Sequence, residues 1–150
     1  MHTIRLHGPW QLTWTALDAD QPHVEGRVRL PLDRQPSPQL GIPSLPGRLT
    51  LTRRFQWPPD NRAAQVFLVV DARLGTHLAA WTDVRLNKAT LGGQGRECLA
   101  SDLPWRADVT ALLEPSNLLE LELHPFSAQQ WAQLQIQAVR LEILDPPAVV

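Results

Sequence analysis

Three apolar runs between residues 66 and 123 decide the fold of this chain: Val66-Phe67-Leu68-Val69-Val70, then LAAWTDVRL at 78–86, then LLELEL at 118–123. Each run is too short or too rich in β-branched residues to predict a long helix, and polar turns separate the runs. The first run is apolar on both faces, which is typical of a central strand that is covered on both sides or whose outer face meets a partner. Together the runs predict the core of a β-sandwich.

The second run separates into two faces when it is read with the period of two that a β-strand imposes. Residues of one parity form its apolar face: Leu78, Ala80, Thr82, Val84 and Leu86. The opposite face carries Trp81, Asp83 and Arg85, a mixture that is not typical of a core face. We therefore expect these three residues to form a contact surface for a sugar or a second protein chain, unless the Pro-rich segment 33–47 covers it.

The segments on either side of these runs are also short. Near the end of the chain, the apolar residues change parity between Ile136 and Val139, which predicts a β-bulge near Ala138. Asp108 and Thr110 precede a short apolar run and predict a capped helical turn there.

These patterns predict an all-β, jelly-roll-like sandwich with about eight or nine strands and at most one short helical turn. The prediction treats residues 1–145 as a single domain and residues 146–150 as a tail. The expected core includes seven residues that share the inward parity of their strands: Trp10, Leu68, Val70, Val84, Leu86, Leu121 and Leu141.

Several phrases, in order along the chain, carry a resemblance to a known family: LHGPWQL at 6–12, LTRRFQWP at 51–58, VRLNKATLG at 84–92, ADVTALLEPSNL at 107–118 and IQAVRLEI at 136–143. They resemble the sugar-binding domain of family-two glycoside hydrolases, a jelly-roll sandwich of the galactose-binding-like group. The resemblance implies a non-catalytic accessory domain. In that family the catalytic acid and nucleophile belong to a separate β/α barrel, which this chain is too short to contain.

Composition argues against several classes of function. Net charge is −1, from 14 Lys and Arg against 15 Asp and Glu, and no basic run occurs, so the signature of a nucleic-acid-binding protein is missing. The single cysteine, Cys98, has no partner for an intramolecular disulfide, and no metal-ligand spacing occurs, so we expect no metal or cofactor. The sequence shows neither a signal peptide nor an apolar run long enough for a membrane span, which favours a cytoplasmic protein without a membrane partner.

No catalytic constellation is visible, and we predict that the chain is not an enzyme. A glycosidase needs two carboxyl groups on opposite sides of a sugar site. Glu120 and Glu122 are a candidate for such a pair of carboxyl groups. Their alternation with leucines, however, is the ordinary pattern of a solvated sheet face.

Carbohydrate binding needs an aromatic ring for the apolar side of a pyranose and nearby polar groups for its hydroxyls. The candidates are the residues Trp81, Asp83, Arg85, Trp105, Arg106 and Trp131. The last three lie in stretches that read as loops, where binding residues concentrate. Two functions stay open: a carbohydrate-binding module, or an assembly domain that contacts a second copy or a partner protein. Tryptophans that only fill the core are the alternative to both.

Overall fold

The computed structural model describes residues 2–18, 24–31, 41–58, 65–75, 77–78, 81–91 and 104–145. Within these ranges the strands are β1 His2–Arg5, β2 Trp10–Ala16, β3 Val24–Val28, β4 Gly47–Gln56, β5 Gln65–Leu74, β6 His77–Leu78, β7 Asp83–Leu86, β8 Ala89–Thr90, β9 Trp105–Asp108, β10 Ser116–Phe126 and β11 Leu134–Leu144. A 3₁₀ turn, Thr110–Leu112, and one helix, α1 Ala128–Gln133, complete these elements. The predicted tail at 146–150 lies outside the described residues.

The strands form two antiparallel sheets, and the inward side chains of both sheets make one hydrophobic core. The smaller sheet has the order β1-β11-β5-β6, with β9 also paired to β5, and the larger sheet has the order β3-β2-β4-β10-β7-β8. The predicted all-β sandwich is confirmed. The structure has more strands than predicted because two of them, β6 and β8, are only two residues long and carry too short a pattern to be recognised.

The seven predicted core residues are all buried, and each keeps 3% or less of its surface exposed: Trp10, Leu68, Val70, Val84, Leu86, Leu121 and Leu141. The predicted β-bulge is also confirmed. The register between β11 and β5 shifts between Ile136 and Ala138, and this shift lets both Ile136 and Val139 point into the core.

The second apolar run is not one strand, and this part of the prediction is wrong. Its beginning belongs to β6 in the smaller sheet, whereas Asp83–Leu86 form β7 in the larger sheet. The chain therefore passes from one sheet to the other within the run. The predicted apolar face is confirmed for Val84 and Leu86, which are buried, but it is wrong for Thr82, which is exposed because it precedes β7. The side chains of Leu78 and Ala80 lie outside the described residues.

The helical turn after β9 forms as the sequence indicates. Asp108 Oδ1 accepts hydrogen bonds from the Thr110 backbone N–H at 2.9 Å and from the Thr110 hydroxyl at 2.6 Å. These bonds favour the ionised carboxylate, and they hold the pKa of Asp108 below its ordinary value. Helix α1 is not among the predicted elements, although Ser127 and Gln130 form a capping box at its start.

A side-chain network joins the β7–β8 hairpin to the beginning of β10. Asn87 and Lys88 both have positive φ, the backbone that a two-residue hairpin turn of type I′ requires. The Asn87 amide donates to the Leu112 carbonyl and to Asn117 Oδ1, each at 2.9 Å. Asn117, which is 1% exposed, also accepts from the Glu114 N–H at 2.9 Å and donates to the Glu114 carbonyl. The Asn87-Lys88 turn thus has a structural role.

Replacing Asn117 with Ala should destabilise the fold by about 2–3 kcal/mol, because it leaves several polar groups without their buried partner. Urea denaturation of the two proteins would measure the difference. Ser116→Ala, one residue away at an exposed position, is the matched control and should change stability by no more than about 0.5 kcal/mol. Equal effects of the two substitutions would contradict the role assigned to Asn117.

Candidate functional site

The outer face of the larger sheet carries polar residues in two rows that run across the strands. In one row, Glu120 of β10 lies opposite Arg85 of β7 on one side and Thr52 of β4 on the other. In the next row, Glu122 lies between Asp83 and Thr50. Strands that are distant in sequence therefore place three carboxylates and one guanidinium next to each other.

Arg85 is the centre of these charges. Its Nη1 donates to Asp83 Oδ2, and its Nη2 lies 3.3 Å from Glu120 Oε2. Nη1 also lies 3.8 Å from Glu122 Oε2, and Glu122 in turn pairs with Arg48 at 3.0 Å. These five residues are the Arg85 cluster, and with three carboxylates and two guanidinium groups it carries one net negative charge.

The cluster is partly withdrawn from water. Side-chain exposure is 26% for Arg85, 20% for Glu120 and 13% for Glu122. Burial alone would lower the pKa of Arg85, but the hydrogen bonds and charges of Glu120 and Asp83 outweigh it, so the pKa of Arg85 is raised. A half-buried network of this kind holds its side chains in place more firmly than an isolated surface ion pair does.

Trp81 lies just before β7 and is half-buried rather than fully displayed on the outer face. Its ring packs against the hydrophobic core, and its Nε1 is buried without a hydrogen-bond partner among the described residues. The next residue anchors this segment to β10, because the Thr82 N–H donates to the Glu122 carbonyl at 2.8 Å. Trp81 is thus adjacent to the Arg85 cluster but is not a free aromatic platform.

The structure places the other three candidates elsewhere, and their assignment to loops is wrong. Trp105 and Arg106 belong to β9 of the smaller sheet, and Trp131 belongs to α1. Trp105 is 8% exposed and Trp131 is 7% exposed, so both rings are largely core. The Arg106 guanidinium lies 4.0 Å from the centre of the Phe67 ring and 3.9 Å from Glu142. Sugar or partner contact by these residues remains a prediction.

Glu120, Glu122 and Arg48 also belong to this surface, in addition to the residues predicted from the sequence. The alternation at 118–123 places both glutamates on an outer face, and that signal was available. The register that sets them opposite Asp83 and Arg85 was not available, because it depends on which strands pair.

The Pro-rich segment 33–47, named as a possible cover for this surface, is described only from Gly41 onward. That part contacts α1, since the Ala128 N–H donates to the Pro43 carbonyl at 2.9 Å. Among the residues with described positions, no three His, Cys, Asp or Glu side chains are arranged to hold a metal ion. In the same part of the chain, no helix has the length and apolar character needed to cross a membrane.

This chain is similar in structure to solved proteins. No known protein family and no curated protein matches the sequence. Among solved structures, the β-D-mannosidase from Dictyoglomus thermophilum matches 97% of this chain with a TM-score of 0.58 and 13% sequence identity. The chain has the fold of one part of that β-mannosidase. It spans 23% of the length of the mannosidase chain.

The match agrees with the sequence resemblance to the sandwich domain of family-two glycoside hydrolases, and the fold that this resemblance implies is confirmed. At 13% sequence identity, the TM-score of 0.58 shows a shared fold alone. It does not transfer the activity of the mannosidase to this chain, because one fold serves many functions.

Proposed function

We propose that this domain is a non-catalytic sandwich module that works beside a carbohydrate-processing catalytic domain and docks on a second protein body through the Arg85 cluster. The proposal rests on the unequal shares of the two proteins that the structural match covers. Nearly the whole chain, 97%, corresponds to only 23% of a β-mannosidase, so most of that polypeptide lies outside the part that shares this fold.

The chemistry of the cluster supports a non-catalytic role. A glycosidase keeps one carboxyl group able to give a proton and another able to attack or activate water. Here Glu122 is paired with Arg48 at 3.0 Å, and Glu120 is paired with Arg85 at 3.3 Å. Both carboxylates are therefore already engaged by arginines of the same sheet face.

The outer face also has features expected of a docking surface. Arginine is enriched in protein interfaces, and complementary charge fixes the orientation of the partners. Arg85 is already held by Asp83 and Glu120, so little side-chain entropy would be lost on binding. The net negative charge of the cluster favours a partner whose facing surface is basic.

Carbohydrate binding on the same face is the second candidate, and Trp81 favours it. The indole Nε1 has no hydrogen-bond partner among the described residues, and Asp83 and Arg85 follow it along the chain. A small movement of Trp81 would offer an indole donor and part of a ring next to groups that bind hydroxyls. The first ligand to test is a manno-oligosaccharide, because the structural match is a β-mannosidase.

Arg85→Ala should weaken partner binding by about tenfold or more if Arg85 is a central contact. Sedimentation velocity would measure self-association, and calorimetry would measure binding to a glycoside hydrolase polypeptide encoded beside this chain. Arg140→Ala is the matched control, because Arg140 is also ion-paired to a glutamate but lies in the smaller sheet. It should leave binding unchanged.

Calorimetry with manno-oligosaccharides separates the two candidates. If the wild type binds a manno-oligosaccharide and the folded Trp81→Ala variant does not, sugar recognition replaces protein docking as the proposed function. Protein binding that is equally strong in the wild type and in Arg85→Ala would remove the Arg85 cluster from the contact surface. Hydrolysis of aryl-glycosides by the pure domain, abolished by changing one acidic residue, would overturn the non-catalytic assignment.

A further inference from the structure

An open groove lies at one end of the larger sheet, where β4 extends beyond its neighbour β2. The pairing of these strands begins at Gln11 opposite Thr52, whereas β4 continues to Gln56. Arg53 and the residues after it in β4 therefore have no β2 partner in the described register. The groove has a volume of about 590 Å³, and its lining includes Pro9, Gln11, Arg27, Thr52, Arg53 and Arg54.

The groove is strongly positive. Arg27, Arg53 and Arg54 all line it, and none of its lining residues with described positions is acidic. Arginines 48, 85, 106 and 140 form ion pairs with described carboxylates, and none of these four lines the groove. Three arginines therefore line one concave surface, and Arg53 and Arg54, which are consecutive in β4, extend from opposite faces of that strand.

Arg53 is the least satisfied of the three. Its Nε is buried and has no hydrogen-bond partner among the described residues. Its Nη1 reaches the Pro9 carbonyl at 3.5 Å, the outer limit of a hydrogen bond. Burial lowers the pKa of Arg53. A bound anion would supply the missing charge and acceptors.

The side chains of Gln11 and Thr52, which also line the groove, add hydrogen-bond donors. Gln11 lies opposite Arg27 on one side and Thr52 on the other, so an amide and a hydroxyl stand beside the arginines in a single cross-strand row. The next residue in that row, Glu120, is already held by Arg85. Glu25, two residues before Arg27, lies opposite Thr13 in the adjacent row.

We propose that this groove binds a ligand with an oxyanion group, which is a carboxylate, sulfate or phosphate, through the guanidinium groups of Arg27 and Arg54 on the outer face, and that Arg53, which also lines the groove, adds positive charge. Gln11 and Thr52 donate further hydrogen bonds. Arginine is suited to this role because its planar fork matches the geometry of two oxyanion oxygens. The ligand is either a small free anion or an acidic sugar such as a uronate, and both present the same group to the arginines. The proposal does not depend on the function assigned to the Arg85 cluster.

Calorimetry of the whole chain with sodium phosphate, sodium sulfate and sodium glucuronate, each against sodium chloride of equal ionic strength, tests the proposal. At least one of the three anions should bind. The double substitution Arg27→Gln with Arg54→Gln should weaken that binding at least tenfold, and both residues are exposed enough for the fold to tolerate it. Arg48→Gln, in the same strand but paired with Glu122, is the control and should bind like the wild type.

The outcomes also distinguish the two sources of the oxyanion. Glucuronate that binds while neutral glucose and inorganic anions do not would identify an acidic sugar, whereas phosphate or sulfate alone would identify a small free anion. No binding by any of the anions would overturn the proposal. Equal binding by the double variant and the wild type, with both folded by circular dichroism, would overturn it as well. Arg85→Ala should leave anion binding intact, which separates this test from that of the docking surface.

Discussion

Gly47→Ala should destabilise the protein by about 3 kcal/mol or more, at or beyond the upper end of the usual range for overpacking a core. A Cβ atom at Gly47 would overlap the indole ring of Trp14. The ring has no space to withdraw, because Trp14 is fully buried and its Nε1 donates to the Phe126 carbonyl at 2.8 Å. Gly47 also lies between Ala16 of β2 and Phe126 of β10, so the backbone is held from both sides.

Thermal and urea denaturation would measure the loss. The reason for the loss can be tested with Trp14→Leu, which removes most of the ring. If the clash is the cause, Gly47→Ala should cost much less in the Trp14→Leu background than in the wild type, which is a coupling of about 1 kcal/mol or more. Additive effects, or a loss below about 1 kcal/mol in the single variant, would show that the sheet relaxes around the added methyl group.

Leu121→Ala should cost about 2–5 kcal/mol, as expected when a leucine is truncated in a core that cannot collapse around the cavity. Leu121 is 0% exposed and lies in the middle of β10, between Val84 of β7 and Leu51 of β4. Urea denaturation would give the difference in the free energy of unfolding. Leu45→Ala is a matched control, because Leu45 is 59% exposed and its truncation should cost little. Similar values for the two leucines would contradict the inward position of Leu121.

The local features of this fold could be predicted from the sequence. Alternation within β10 identified Leu121 as inward, and the change of parity near Ala138 identified the β-bulge. Both signals extend over only a few neighbouring residues, and burial on one face of a sheet enforces them directly. The predicted outward positions of Asp83 and Arg85 were recovered for the same reason.

The features that depend on distant strands could not be predicted in this way. The run at 78–86 belongs to two sheets, and its continuous alternation gave no sign that Trp81 and Thr82 stand outside β7. The pairing of β10 with β7 brings Glu120 to Arg85, and that register is set by the whole sheet. The strand that contains Trp105 could not be predicted either, because β9 forms by pairing with the distant strand β5.

The pairing of β1 with β11 has a consequence for how the chain folds. This pair sets His2 opposite Ile143, so closing it requires the ordering of nearly everything between the two strands. The β7–β8 hairpin, in contrast, closes through two residues, and such hairpins form in about 1–10 μs. Sandwiches rich in distant pairings fold in about milliseconds to seconds. The rate-limiting step in folding should therefore be the pairing of strands that are distant in sequence. Strand β1 should be among the last to pair.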